Sequence, residues 1–351
     1  MGWENNIRRV VPYIPGEQPC VADAVKLNTN ENPYPPSPAV FKAAEAFQAG
    51  DLRLYPDPEA KELVHAIAET YGLKDHEVFA GVGSDDVLAM CFMTFFNSDK
   101  PVLFPDITYS FYDVWAALLR IPYEIQPLDE NLHIRPEDYK KANGGIVFPN
   151  PNAPTGAPLP LSSIEEIIAA NPDSIVIVDE AYVDFGAESA LPLIHSYDNL
   201  LITQTFSKSR SLAGLRIGYA MGNERLIRYL NDVKYSFNSY TMNRPAIALG
   251  AAEVRDREHY RDCCRKIIRT RSNSADRFRE LGFLLEDSCS NFLFVTHPEK
   301  PAKEIFDFLR ERHIYVRWFD HDRIRSYLRV TVGTEEEMDK LFACLQDFMS
   351  V

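Results

Sequence analysis

The 351-residue chain is short of positive charge, with 37 lysines and arginines against 51 aspartates and glutamates and a net charge of −14. That balance argues against nucleic acid as a partner, because a phosphate backbone demands a basic face. It still allows a local basic pocket for a small anion. Cysteine is also sparse. Cys20, Cys91, Cys263, Cys264, Cys289 and Cys344 show no C-x-x-C spacing, and adjacent Cys263-Cys264 suits neither a disulfide nor a zinc site. Reduced thiols in a cytoplasmic protein are the expectation. The eight histidines form no H-E-x-x-H and no close pair, so no metal is expected. No apolar run approaches a membrane span. The start, Met1-Gly2-Trp3-Glu4-Asn5-Asn6, lacks the basic and apolar stretches of a secretory signal. No repeat or low-complexity tract is present.

What the chain has is an ordinary globular composition, 46% hydrophobic and 25% charged, long enough for one large and one small domain. Prolines 12, 15, 19, 33, 35, 36 and 38 suggest an extended arm lying over a surface, of the kind that often crosses to a second subunit. Asp57-Pro58 reads as a helix start and Gly72 as its end. A β-α alternation follows. Strands are expected at 78–80, 102–104, 146–148, 175–178 and 200–202, and helices at 85–96, 109–119 and 162–170. This predicts an α/β fold: a mostly parallel sheet covered by helices, with ligands at the carboxyl ends of its strands. Beyond about residue 260 a charged helix at 262–281, strands at 291–295, 314–317 and 327–332, and helices near 304–309 and 335–349 predict a smaller α+β domain. The expected division is a large domain over 33–260, and a small domain over 261–351 joined by the arm, 1–32.

The groups that suggest chemistry fall just after strands. In Thr205-Phe206-Ser207-Lys208-Ser209-Arg210-Ser211-Leu212-Ala213-Gly214-Leu215-Arg216 a lysine sits between serines and an arginine follows among small residues. A lysine amine can form an imine with an aldehyde cofactor, and serine hydroxyls with an arginine can hold that cofactor's phosphate. Asp179, ending the run Ile175-Val176-Ile177-Val178, can pair with a protonated pyridine nitrogen. Together these read as a pyridoxal phosphate site. Taken singly, the lysine would be a surface charge and the aspartate a cap. Gly81-Val82-Gly83-Ser84-Asp85-Asp86 half-matches a dinucleotide fingerprint, but Asp86 replaces its third glycine. A helix N-terminus cradling one phosphate, with Ser84 adding a hydroxyl, is the better reading. Tyr109 can stack on a flat ring, and the turn Pro151-Asn152-Ala153-Pro154-Thr155-Gly156 carries an asparagine able to reach a phenolic oxygen.

In the order of its motifs the chain resembles the fold-type I pyridoxal phosphate aminotransferases, and within them the histidinol-phosphate branch. The matching pieces run from Pro12-Tyr13-Ile14-Pro15-Gly16-Glu17 and Leu27-Asn28-Thr29-Asn30-Glu31-Asn32-Pro33, through Tyr55-Pro56-Asp57, Gly83-Ser84-Asp85, Asp179-Glu180-Ala181-Tyr182, Ser207-Lys208 and Leu215-Arg216-Ile217-Gly218, to Leu328-Arg329-Val330-Thr331-Val332-Gly333. The resemblance implies that Lys208 carries the cofactor and shuttles a proton, and that Asp179 pairs with the ring nitrogen. It implies that Tyr182 bonds the phenolic oxygen and Tyr109 stacks on the ring. Ser84, Asp85, Ser207 and Arg216 would surround the phosphate. Tyr55 would reach that phosphate from the neighbouring subunit of a homodimer. Arg317 and Arg329, with Tyr13 and Asn30 beside them, would bind substrate: a small phosphate in one half of the reaction and a dicarboxylate in the other. Many relatives carry Asn where this chain has Ala153, and Asn152 is the nearest substitute. The implied reaction is transamination between histidinol phosphate and 2-oxoglutarate. The same fold also serves aromatic amino-acid aminotransferases and threonine-phosphate decarboxylases. Regulators that use the fold need an added DNA-binding module, which this acidic chain does not display.

Overall fold

The computed structural model describes residues 2–21 and 23–350. The arm is extended until β1 (Val25–Lys26), and helices α1 (Pro38–Ala46) and α2 (Lys61–Tyr71) follow. The large domain then alternates as β2 (Val78–Gly81), α3 (Ser84–Phe95), β3 (Val102–Pro105), α4 (Tyr112–Leu119), β4 (Tyr123–Gln126), β5 (Gly145–Pro149), α5 (Leu161–Ala170), β6 (Val176–Asp179), β7 (Leu200–Thr205) and β8 (Gly218–Gly222). Two helices, α6 (Glu224–Phe237) and α7 (Arg244–Arg255), lead to the long α8 (Arg257–Glu280). The remainder is β9 (Leu284–Leu285), β10 (Phe292–Thr296), α9 (Ala302–Glu311), β11 (Ile314–Tyr315), β12 (Arg317–Trp318), β13 (Tyr327–Thr331) and α10 (Glu335–Met349).

The seven-stranded sheet runs β2-β8-β7-β6-β5-β3-β4, and only β8 is antiparallel to its neighbours. Alternating side chains sort its strands into two cores. Ala80, Phe148, Val178 and Ile202 pack with α2, α5 and α7 on one face, and Phe79, Val147, Ile177 and Leu201 with α3, α4 and α6 on the other. With both faces covered, the wetted parts of the sheet are its edges and its strand ends. The smaller domain is an antiparallel sheet, β12-β13-β10-β9, backed by α8, α9 and α10 over a core that includes Leu293, Leu328, Ile305 and Leu341. Val25 and Lys26 of the arm pair in parallel with Ile314 and Tyr315, which ties the arm to this domain.

Several expected limits move. The helix expected from Asp57 begins at Lys61, because Ala60 takes a left-handed conformation (φ 49°); Asp57 still caps, its carboxylate accepting from the Glu59 and Lys61 amides. Gly72 ends α2 with φ 71°, a conformation that favours glycine. The helix expected from Tyr109 starts at Tyr112, and α8 spans the expected division at 260 without a break. Strand β4 has only Gln126 buried, so it carries no apolar run to announce it. Among the described residues, no helix is long and apolar enough to cross a membrane.

Candidate active site

The carboxyl ends of β2, β3, β5, β6 and β7 lie along one edge of the sheet. The loops leaving them wall a cavity of about 130 Å³ lined by Ser84, Asp85, Tyr109, Pro149, Ala153, Asp179, Ala181, Tyr182, Thr205, Ser207, Lys208 and Arg216. Ser84 and Arg216, 132 positions apart in the chain, both line it, because the parallel strands end close to one another and β8, which runs the other way, begins there. A larger surface cavity, about 840 Å³ between α2 and α6, contains none of these groups.

Asp179 is the last residue of β6 and is buried. Tyr112 donates to its Oδ2 at 2.9 Å and the Ala181 amide to its Oδ1 at 3.3 Å. No basic side chain pairs with it among the described residues. Burial therefore pushes its pKa up to about 6; the two donors oppose that rise and the nearby Asp85 charge adds to it. A buried carboxylate in this state lacks a cation, and a protonated ring nitrogen would supply one.

Across the cavity the groups are arranged for an anion. Helix α3 opens on Gly83 (φ 89°), which has no side chain to satisfy the first-turn N–H groups. A Cβ on Gly83 would lie 2.5 Å from Arg216 Nη2, and one on Gly218 would lie 2.3 Å from the Gly83 carbonyl carbon, so both positions require glycine. Arg216 donates to Ser207 Oγ at 3.3 Å and to Asp85 Oδ2 at 3.1 Å. Asp85 also accepts from the Tyr109 hydroxyl at 2.5 Å, so its carboxylate orients both neighbours. Lys208 Nζ lies 5.6 Å from the centroid of the Tyr182 ring and donates to the Thr29 carbonyl at 2.9 Å.

The arm and the small domain close the remaining side. Asn30, left-handed at φ 56°, donates through Nδ2 to the Tyr182 hydroxyl at 3.0 Å, while its Oδ1 accepts from Thr331 and its carbonyl from Asn291. Arg329 donates to the Ala153 and Asn28 carbonyls, both at 3.3 Å, and its Nε has no partner among the described residues. Arg317 lies opposite Arg329 in the β12–β13 register. Like charges directly across a ladder are destabilising unless an anion lies between them. Burial lowers the pKa of Arg329, and the Arg317 charge lowers it further. Tyr13 of the arm stacks on Phe111 with 4.3 Å between ring centroids.

Two of the residues named above do not line this cavity, and one of them, Tyr55, was expected at the neighbouring subunit's. Asn152 does not line the cavity: its Nδ2 donates to the Ile107 carbonyl at 3.0 Å and to Thr155 Oγ1 at 3.2 Å, and Ala153 takes the place on the wall. Its Nδ2 is thus engaged by the Ile107 carbonyl and the Thr155 hydroxyl, while its Oδ1 has no partner among the described residues. Tyr55 is 78% exposed, 4.7 Å from the Tyr240 ring and outside the cavity of its own chain. Tyr112, Thr29 and Thr205 were not expected at the site. For Tyr112 a signal existed, since three residues after Tyr109 is one helical turn; for a backbone carbonyl such as that of Thr29 there is none.

A family model for aminotransferase class I and II matches residues 22–345. The chain is similar to histidinol-phosphate aminotransferase 1 of Hydrogenovibrio crunogenus, with 50% identity over 347 residues, 99% of this chain and 98% of that protein. It is similar to histidinol-phosphate aminotransferase of Clostridium beijerinckii, with 48% identity over 348 residues, 99% of this chain and 97% of that one. Among solved structures, the histidinol-phosphate aminotransferase of Sinorhizobium meliloti in complex with pyridoxal-5'-phosphate has the same fold. Its TM-score is 0.85 at 24% identity, over 92% of this chain and 90% of that one.

Proposed function

The chain belongs to the class I and II aminotransferase family, and from that premise we propose that it transfers an amino group from L-histidinol phosphate to 2-oxoglutarate with pyridoxal 5'-phosphate as cofactor. The observation that carries the reading is Asp179: a buried carboxylate with no cation paired to it among the described residues, in the same small cavity as a lysine amine and an anion cup. The residues fit the cofactor. Asp179 would hold its ring nitrogen, Lys208 its aldehyde carbon, and Ser84, Ser207, Arg216 and the first turn of α3 its phosphate. Tyr109 would cover the ring and Tyr182 would donate to the phenolic oxygen. When bound, the cofactor supplies an electron-accepting ring for the electron pair left when the substrate carbon loses its proton.

The chain's own groups do the rest. Asp179 keeps a proton on the ring nitrogen, because an opposite charge in contact favours the protonated form by roughly one to three pKa units. Lys208 Nζ, once free, would take the proton from the substrate carbon that bears the nitrogen and deliver it to the cofactor's former aldehyde carbon on the other side of that nitrogen, as general base and then acid. Arg317 and Arg329 accept the substrate's phosphate in one half-reaction and a dicarboxylate in the other, since a guanidinium pairs with either anion through two N–H groups. Tyr13 and Asn30 stand at the edge of that region.

A homodimer is part of the reading. Leu52, Leu54, Tyr55, Phe237 and Tyr240 are exposed apolar side chains on two neighbouring segments, a face that a second copy would cover while Tyr55 reaches the partner's phosphate cup. A cytoplasmic location agrees with six unpaired cysteines. The test is purified protein given 2-oxoglutarate with L-histidinol phosphate, L-phenylalanine or L-threonine phosphate, reading glutamate and carbon dioxide. The expected result is glutamate at the highest kcat/KM from histidinol phosphate. A higher value from phenylalanine, or carbon dioxide from threonine phosphate, would overturn the substrate assignment and leave the cofactor site standing.

A further inference from the structure

The two residues after Lys208 are more deeply buried than the lysine, yet neither lines the cavity. Ser209 is gripped at both ends. Its hydroxyl donates to Asp184 Oδ2 at 2.5 Å, and its carbonyl accepts from Asn32 Nδ2 at 3.1 Å. Asp184 sits two residues beyond Tyr182, and its other oxygen accepts from the Tyr260 hydroxyl of α8. Arg210, 1% exposed, lies over the Tyr260 ring at 4.2 Å. It donates to the Tyr71 hydroxyl at 3.3 Å, while its Nε and Nη1 have no partner among the described residues. A guanidinium so buried and incompletely bonded is poor packing; an apolar side chain of similar size would serve stability as well or better. What this cluster does do is join the turn carrying Lys208 to the turn carrying Tyr182 and to α8.

We propose that Asp184 is a positioning residue for Lys208. Through Ser209 it fixes the main chain beside the lysine, and through Tyr260 and the adjacent Arg210 it registers that turn against α8. The amine that substrate displaces is thereby returned to one place. This rests on the reading that Lys208 carries the cofactor, and the test separates the two.

The cofactor-free protein is mixed with pyridoxal phosphate and sampled over time into borohydride. Lys208 Nζ adds to the aldehyde carbon with loss of water, and hydride reduces the resulting C=N bond to a stable amine that mass spectrometry counts. In Asp184→Ala the trapping rate and kcat should both fall about tenfold to a hundredfold, the worth of a hydrogen bond to a charged group. KM for the amino substrate should stay within about threefold, because no contact to substrate is removed. Asp184→Asn retains an acceptor and should recover part of the loss. Ser209→Ala, which leaves Asp184 and Tyr260 in place, should show a smaller fall in both rates and serves if Asp184→Ala does not fold. Wild-type trapping and kcat in both Asp184→Ala and Ser209→Ala, or a change in KM alone, would overturn the proposal. A wild-type protein that traps no adduct would instead refute the Lys208 reading.

Discussion

At the carboxyl end of the central sheet Asp179, Thr205 and Ser207 are 4%, 4% and 8% exposed, and each is hydrogen-bonded. On the face carrying Tyr55 the apolar rings are in the open, Tyr55 at 78% and Phe237 at 69%. The first region buries a carboxylate, Asp179, with no cation paired to it among the described residues, so a small charged ligand completes it. The second exposes apolar area, so a protein surface completes it. One chain thus displays two unfinished sites, distinguished by which kind of atom is on the wrong side of the solvent boundary.

Removing the uncancelled charge should have the largest effect. Asp179→Ala should lower kcat by about tenfold to a thousandfold, the equivalent of one to three pKa units on the ring nitrogen. The cofactor-free variant should melt no lower than wild type by calorimetry, because a buried unpaired carboxylate has gone. Near-normal turnover would erase the contrast between the two regions. Next, Arg329→Ala should raise KM for both substrates by about a hundredfold, as expected for truncating one side of a buried charged contact, while the absorbance of bound cofactor is unchanged. Unaltered kinetics would make the Arg317–Arg329 pair a structural feature only.

The pH dependence sharpens the comparison further. In the cofactor-free protein Asp179 is raised from 3.8 to about 6. The folded state therefore binds more protons than the unfolded one between those values, and stability from this group rises as pH falls from 6 towards 4. Cofactor capture needs the ionised carboxylate, so below pH 6 affinity should decline by up to about tenfold per pH unit. Fluorescence titration across pH 5–8 should give that slope in wild type and a flatter one in Asp179→Asn. The smallest effect belongs to the other face. Tyr55→Phe should weaken cofactor binding about fivefold, one ordinary hydrogen bond, with the dimer intact by sedimentation. A wild-type monomer with full cofactor affinity would break that half of the comparison.

Much of the fold was legible wherever a local rule acts alone. Helix α10 begins where Thr334 and Glu337 make a reciprocal capping box, a pattern readable three residues apart. Strands β5 and β6 and the first half of β7 are apolar runs because both faces of the sheet are covered. Edge strand β4 was not legible, since solvent takes most of it, and β8 is bounded by glycine at both ends. Helix α7 was not expected, although Asn243, whose side chain accepts from the Ala246 amide, and Pro245 in the first turn form a start signal.

By itself the sequence determined which chemical groups follow which strands. An apolar run must end where the sheet meets water, and what comes next, Asp179, Ser207 and Lys208 or Ser84, is set by adjacency along the chain. Tertiary structure alone decided that Asp179 has no cation paired to it among the described residues, that Arg317 faces Arg329, that the Asn152 amide donates to the Ile107 carbonyl, and that Arg210 is buried behind the lysine. Each of those depends on distances between segments far apart in the chain. Packing sets such distances, and burial then sets the energy of every charge within them.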